Sequence, residues 1–542
     1  AGPPADRAAA GPGRPEAPAA DDPRVGRLAG EIAALWARHL ETSEPVGPDS
    51  DFFLVGGTSM TAIGIQRRLE SELGRAVSLR QFFDDPTPRA LAVRLLAEPA
   101  GDTFRPPGGD SPNGHPPGGD PEAPGEPAEL PLTFAQLDIW THTRLWPDTR
   151  GFLIPLAVDV AGGVDPHRLA EATSATLSAH PATRATFPLS AGTPVQRPGP
   201  ASTRIEVPVL PAEHEDERRW LEGEIVSDSP DLASGSPVRA AVLDRGPAGA
   251  TLVVAAHHVV ADMRTVGLLW DEIARRYQGR PVRDAPGERL DALRRAVAAN
   301  RRGGDAAARA HWAGVLRDRT PLTLPREVAD EVAGAAVTRV VLGEADLRRV
   351  GRLMADHRAS AMMVGAALFA RAVGRLCGTR APVLATLTEN RPPEAADVAA
   401  CFVNVVPLVV AWDGEPPLAA LVERAREAVL AAHEHQAVPT SEILSLAGPA
   451  ATRRDAWLRV VVDARDERAL DLPLPGPATA TRLLRITREL HNDLELSVIS
   501  LRDGRLCWEV DHRRDAISPR AVAELLDAML AELRTVPAGP GR

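Results

Sequence analysis

Two adjacent histidines with an aspartate four residues beyond the second, in "AAHHVVADMRT" (255–265), carry the residue types that could move a proton. Neutral imidazole ionises near pH 6.5, so one of them could accept a proton at neutral pH as a general base. On an extended segment neighbouring side chains point in opposite directions, so only His257 or His258 can face a given cavity. The plainer alternative is a structural pair. A zinc site would need a further carboxylate or thiolate, which the stretch lacks, so no metal is expected. A second candidate is Ser59 in "DFFLVGGTSMTAIGIQRRLE" (51–70). Gly56 and Gly57 permit a sharp turn that would set this serine at a helix start, where unpaired N–H groups favour a phosphate. Simple N-capping is the competing role.

These residues need elements to hold them. "ATLVVAA" (250–256) is a continuous apolar run that predicts a buried strand ending at the histidines. "RTVGLLWDEIARRY" (264–277) repeats Val266, Leu269, Trp270, Ile273 and Tyr277 on one helical face. Further strands are expected at 339–343, 382–387, 405–412, 458–464, 494–501 and 505–510, an α/β pattern. Around Ser59 the spacing is helical throughout. Residues 24–41 form an amphipathic helix, and Ile63, Gln66 and Leu69 mark the turns of a second. "PTPRALAVRLL" opens a later helix with Thr87 as N-cap and Pro88 at its first position. A small all-α four-helix bundle over 22–96 is expected, followed by a large α/β module over 130–537. Residues 1–21 and 97–129 are rich in Pro, Gly and small or acidic residues, and are expected to be a disordered N-terminal segment and an extended tether.

At 542 residues the chain exceeds one core, consistent with two or more domains. Its net charge is −11 with no lysine, so nucleic acid and anionic membranes are not expected partners. Cys377, Cys401 and Cys507 are odd in number and lack metal spacing, which suits a reducing compartment. No run of eighteen apolar residues and no signal-peptide pattern is visible, so a soluble cytoplasmic protein is expected.

The stretch around Ser59 resembles the modification motif of peptidyl and acyl carrier proteins, through Asp51, Phe52, Phe53, Gly56, Gly57 and Ser59, with Met60 in place of the usual leucine. The resemblance implies 4′-phosphopantetheine esterified to Ser59 by a phosphopantetheinyl transferase, its thiol holding an aminoacyl or peptidyl thioester. Met60 and Ile63 would then touch partners. "HHVVAD" in turn resembles the HHxxxDG motif of nonribosomal peptide synthetase condensation domains. "LTFAQLDIW" (132–140), "SAHPATRATF" (178–187), "CFVNVVPL" (401–408) and "HEHQAVPTSEIL" (433–444) follow that family's order. The resemblance implies two chloramphenicol-acetyltransferase-like lobes in a V, about 130–303 and 304–537, with a tunnel between them.

Carried over residue by residue, His258 is the catalytic histidine at the tunnel centre, and His257 serves packing. Asp262 is structural and pairs with an arginine of the other lobe, here Arg391 in "TENRPP". Asn404 and its strand belong to a crossover segment lining the tunnel. The family implies peptide-bond formation by acyl transfer to a downstream acceptor carrier, with an upstream adenylation domain supplying the donor. The pattern breaks at Met263, where the family has glycine, at the reduced second motif, and at Thr440, which replaces an aromatic. A specialised domain is the alternative: ester formation, dehydration of the bound residue, or a non-catalytic recruitment scaffold. Epimerisation domains carry a different fifth motif, and cyclisation domains replace the histidine pair.

Overall fold

The structure, a computed structural model, describes residues 22–40, 45–52, 55, 62, 65, 68–69, 77, 79–97, 129–145, 151–226, 230–282, 285–325, 329, 334–447, 457–474, 479–483 and 492–538. Ser59, its glycines, Phe53, Met60, Ile63 and Gln66 lie outside this set, as do residues 1–21 and 98–128. Two compact units are present, one holding the described residues within Ala1–Ala123 with Met354–Ser360, the other those within Pro124–Leu353 and Ala361–Arg542.

In the first unit, the helix Pro23–Leu40 buries Val25, Leu28, Ile32, Leu35, Trp36 and Leu40, the residues at three- and four-residue spacing. Trp36 meets Phe52 and Phe82 at ring-centroid distances of 5.0 and 5.5 Å, and Phe52 meets Phe82 edge-on at 4.8 Å. This aromatic knot closes the bundle. Ala62, Ile65 and Leu69 are helical and fully buried. The helix Pro88–Ala97 opens with Pro88, and Thr87 Oγ1 accepts the Ala90 N–H at 3.2 Å. Phe52 and Arg89 N–H groups donate to the carbonyls of Pro86 and Pro48, both at 2.8 Å, tying the preceding loop to this helix.

In the second unit the described strands make three sheets. A small one joins β1 (Leu130–Pro131), β3 (Ala185–Thr186), β4 (Leu189–Ser190) and β5 (Thr193–Pro198). The five-stranded sheet runs β13 (Thr479–Leu483), β2 (Leu153–Ala161), β8 (Gly249–His257), β7 (Val238–Asp244), β6 (Val209–Pro211). The six-stranded sheet runs β11 (Asn404–Val409), β10 (Val383–Thr388), β12 (Val460–Asp466), β14 (Leu494–Ser500), β15 (Leu506–Arg513), β9 (Ala335–Val341). All nine residues of β8 are buried, as its unbroken apolar run requires. The helix Ala361–Leu376 lies so close to the six-stranded sheet that a Cβ on Gly365 would meet Val498 Cγ2 at 2.6 Å.

Each half of this unit owns one large sheet, with one exchange. Strand β13 comes from the second half of the chain and pairs antiparallel with β2, Thr479 opposite Val160 through Leu483 opposite Leu156. Asn404 does not sit on that exchanged strand. It begins β11, which pairs with β10 inside the six-stranded sheet, whereas the strand exchanged between the halves is β13.

Candidate active site

The histidine motif is a strand end, a turn and a helix cap in sequence. Antiparallel pairing of β2 with β8 sets Leu153 opposite His257, and the ladder runs one residue further, with His258 N–H donating to the Phe152 carbonyl at 2.6 Å. The chain then turns, the Val260 N–H donating to the His257 carbonyl at 3.0 Å. Asp262 has extended backbone angles and caps the helix Met263–Tyr277, its Oδ1 accepting the Thr265 N–H at 2.8 Å. The spacing of the motif is therefore the length of one turn between a strand and its following helix.

The two histidines differ. His257 is fully buried, and its Nδ1 accepts the Val259 N–H at 3.2 Å. Its proton must then lie on Nε2, which has no hydrogen-bond partner among the described residues. Burial, with His258 beside it, pushes its pKa down to about 3. His258 is only partly buried. Burial lowers its pKa as well, while its own carbonyl, the Asp262 charge and the Ala261 carbonyl pull it partly back. A neutral imidazole is the form that accepts a proton.

Asp262 and Arg391 form a buried ion pair, Nη2 to Oδ1 at 2.6 Å, with the Arg391 side chain fully enclosed. Burial alone would raise the Asp262 carboxyl, but Arg391 and the N–H groups of Thr265 and Phe402 hold it below the usual range. Its second oxygen accepts from Phe402 N–H at 3.1 Å. Arg391 also donates to the carbonyls of Ala395 (3.0 Å), Val398 (2.7 Å) and Ala400 (2.7 Å) and to Thr265 Oγ1 (2.8 Å), and its guanidinium lies 4.8 Å from the Phe402 ring. The pair thus sews the histidine loop to segment 400–402, more than a hundred residues away.

Thr133, Gln136, Thr265 and Cys401 join this assembly without having been singled out as site residues from the sequence. Gln136 Nε2 donates to the Val259 carbonyl at 3.0 Å, and Thr133 Oγ1 to the Cys401 carbonyl at 2.9 Å. Thr265 Oγ1 donates to the Ala400 carbonyl at 2.8 Å and accepts the Ala400 N–H at 3.1 Å. Cys401 Sγ lies 3.6 Å from His258 Nδ1. Thr133 and Gln136 stand inside the first motif, and Cys401 opens the fifth. Thr265, three residues after the N-cap, was legible only as a helix-start position.

Asn404 lies outside this cluster. Its Nδ2 donates to the carbonyls of Gln436 (2.8 Å) and Val438 (2.7 Å), and its Oδ1 accepts from Thr440 N–H (3.2 Å) and Oγ1 (2.6 Å). All its polar capacity is used within the fold, clamping β11 to the start of the helix Thr440–Leu446. Met263 is the first residue of its helix and 41% exposed.

Residues 127–540 match the condensation domain family and residues 30–95 the phosphopantetheine attachment site family. The chain belongs to the condensation domain family and is a carrier–condensation didomain of the nonribosomal peptide synthetase type, whose first unit carries covalent 4′-phosphopantetheine. It is 26% identical to isonitrile lipopeptide synthase of Mycobacterium tuberculosis over 96% of this chain and 21% of that protein. With surfactin synthase subunit 2 of Bacillus subtilis it shares 25% identity over 76% of this chain and 11% of that protein. The chain thus spans only a fraction of these relatives.

The fold is similar to the X-domain from teicoplanin biosynthesis, with TM-score 0.62 and 22% identity over 78% of this chain and 98% of that one. It is also similar to the first condensation domain of the calcium-dependent antibiotic synthetase, with TM-score 0.60 and 18% identity over 77% and 98%. Both large lobes are chloramphenicol-acetyltransferase-like, and the reaction type of the family is a transfer. Among the described residues no single helix is long and apolar enough to cross a membrane, and no group of His, Cys, Asp and Glu could hold a metal ion.

Proposed function

We propose that this didomain forms a peptide bond by transferring the acyl group held on its own carrier to the amine of an acceptor on a downstream carrier. The observation that carries this reading is the partly exposed, neutral His258 at the end of β8, backed by a fully buried ion pair that fixes its loop. Phosphopantetheine on Ser59, when present, presents the acyl group as a thioester, whose carbonyl an amine can attack without further activation of the leaving group. The protein's own residues must hold the amine, exclude water and take one proton. His258 accepts that proton from the attacking amine, while Asp262 and Arg391 position the loop and exchange no proton. His257, with its pKa near 3, stays neutral and serves packing. An upstream adenylation domain would supply the donor, and a phosphopantetheinyl transferase the prosthetic group.

Intact-protein mass spectrometry of a two-carrier reaction tests the assignment. Coenzyme A and a phosphopantetheinyl transferase should add one phosphopantetheine mass to the chain and none to Ser59→Ala. With Ser59 aminoacylated, the donor mass should move to an excised acceptor carrier, and His258→Ala should slow this by about 10²–10⁴-fold, the usual value of a positioned general base. Undiminished transfer in His258→Ala would remove His258 from the mechanism. A specialised or non-catalytic domain is favoured by one observation, the exposed Met263 at the helix start where the family has glycine. A donor that stays on Ser59 across a panel of acceptors would decide for it.

A further inference from the structure

Segment 400–402 is held more firmly than its sequence would require. Ala400 is bonded through both backbone groups to Thr265 Oγ1, the Cys401 carbonyl accepts from Thr133, and the Phe402 N–H is fixed by Asp262. These anchors come from two separate stretches of chain, Thr133 and the loop Asp262–Thr265. They share one geometric result, which is to press the Cys401 side chain against the His258 ring, Sγ to Nδ1 at 3.6 Å, with the cysteine fully enclosed. Burial, aided by the Asp262 charge, pushes the Cys401 thiol well above its ordinary value of 9.0. It is therefore a neutral S–H and neither a nucleophile nor an ionic partner for imidazolium.

The carbonyls of His258 itself and of Ala261 pull the imidazole's pKa partly back up, as acceptors beside a ring N–H do. A residue's own carbonyl is within reach of Nδ1 only, since Nε2 is at the far end of the ring. We propose that Cys401 is a positioning residue for His258: its sulfur closes the Nδ1 edge, keeps the ring proton there, and leaves Nε2 as the unprotonated edge offered to the reacting amine. The sulfur is a weak acceptor and a bulky one, so it excludes water from Nδ1 without competing with the carbonyls for the proton. A serine there is shorter and a strong donor. Its O–H pointed at Nδ1 would shift the proton to Nε2 and silence the base. This inference rests on the His258 assignment above and adds the tautomer and the residue that sets it.

The test uses the full chain with Ser59 loaded, in the two-carrier assay, with Cys401→Ala and Cys401→Ser beside His258→Ala. Histidine ring 15N shifts of the 15N-histidine protein, assigned by the resonances lost in His258→Ala, report which nitrogen holds the proton. Cys401→Ser is expected to lower kcat about ten-fold with an unchanged KM for the acceptor carrier, and to move the ring toward the Nε2–H form. Cys401→Ala is expected to lower kcat less and to mix the two forms. Unchanged ring shifts in both variants would overturn the proposal, whether or not activity fell, because a packing role alone does not move the tautomer. If Cys401→Ala fails to fold, Cys401→Ser decides by the same readout. Should His258→Ala keep full transfer, the His258 assignment fails, whereas a dead His258→Ala with unchanged ring shifts in the cysteine variants sinks only the role of Cys401.

Discussion

Asp262 does three jobs with two oxygens. It caps a helix, neutralises Arg391 and fixes the Phe402 N–H. Replacing it with alanine would strand a guanidinium whose side chain is fully enclosed, and a buried pair broken from one side costs about 3–5 kcal/mol. Asp262→Ala should therefore lower the urea midpoint substantially, and adding Arg391→Met should restore part of the loss. A double-mutant cycle with no coupling between the two positions would show that the pair contributes nothing as a pair. At this scale the sequence was informative where chemistry and local geometry coincide, as at His258 at a strand end and Asp262 at a helix start. It was silent where a residue acts across the fold. Thr133 reaches Cys401 over 268 positions and Thr265 reaches Ala400 over 135, and no periodicity encodes such meetings.

Elements show the same division. The strand at 250–256 and the helix at 264–277 were legible because a buried strand and an amphipathic helix impose their own patterns, and both are present as Gly249–His257 and Met263–Tyr277. The exchanged β13, "TATRL", was not, since five residues with an arginine carry too little apolar alternation to stand out from a loop. Thr440 illustrates a departure from the family pattern that the fold absorbs. Its hydroxyl lies 2.6 Å from Asn404 Oδ1 and 2.8 Å from the Val405 carbonyl, so a polar clasp stands where an aromatic would pack. Thr440→Val keeps the shape and removes the hydroxyl, leaving buried acceptors short of a donor. A loss of about 1–3 kcal/mol is expected from denaturant melts, and a neutral result would mean that the clasp is idle.

For the whole molecule, acidity is the revealing variable. His257 titrates near pH 3 when folded and near 6.5 when unfolded, so between these values the unfolded chain binds the extra proton. Its contribution is intact above pH 6.5 and is lost as pH falls toward 3, at about 1.4 kcal/mol per pH unit. Glu272, bonded to His180 and Arg276 and held at about 2, adds a second slope that begins only below its ordinary 4.5. Denaturant melts from pH 7 to 5 should therefore steepen below 6.5, and His257→Phe should make that window shallower, with His258 keeping part of the slope, while leaving the fall below 4.5. An unchanged slope from 7 to 5 in His257→Phe would mean that His257 is not buried neutral.

The exchange of β13 also bears on how the chain is made. Strand β8, which completes the β2–β8 pair, leaves the ribosome some 220 residues before β13, at roughly 5–20 residues per second. For some ten to forty-five seconds the nascent first sheet has one long flank of β2 with no neighbour, open to pairing with any other emerging chain. Translation speed and chaperone cover over that interval, and not only the stability of the finished protein, would then set how much of it reaches the folded state.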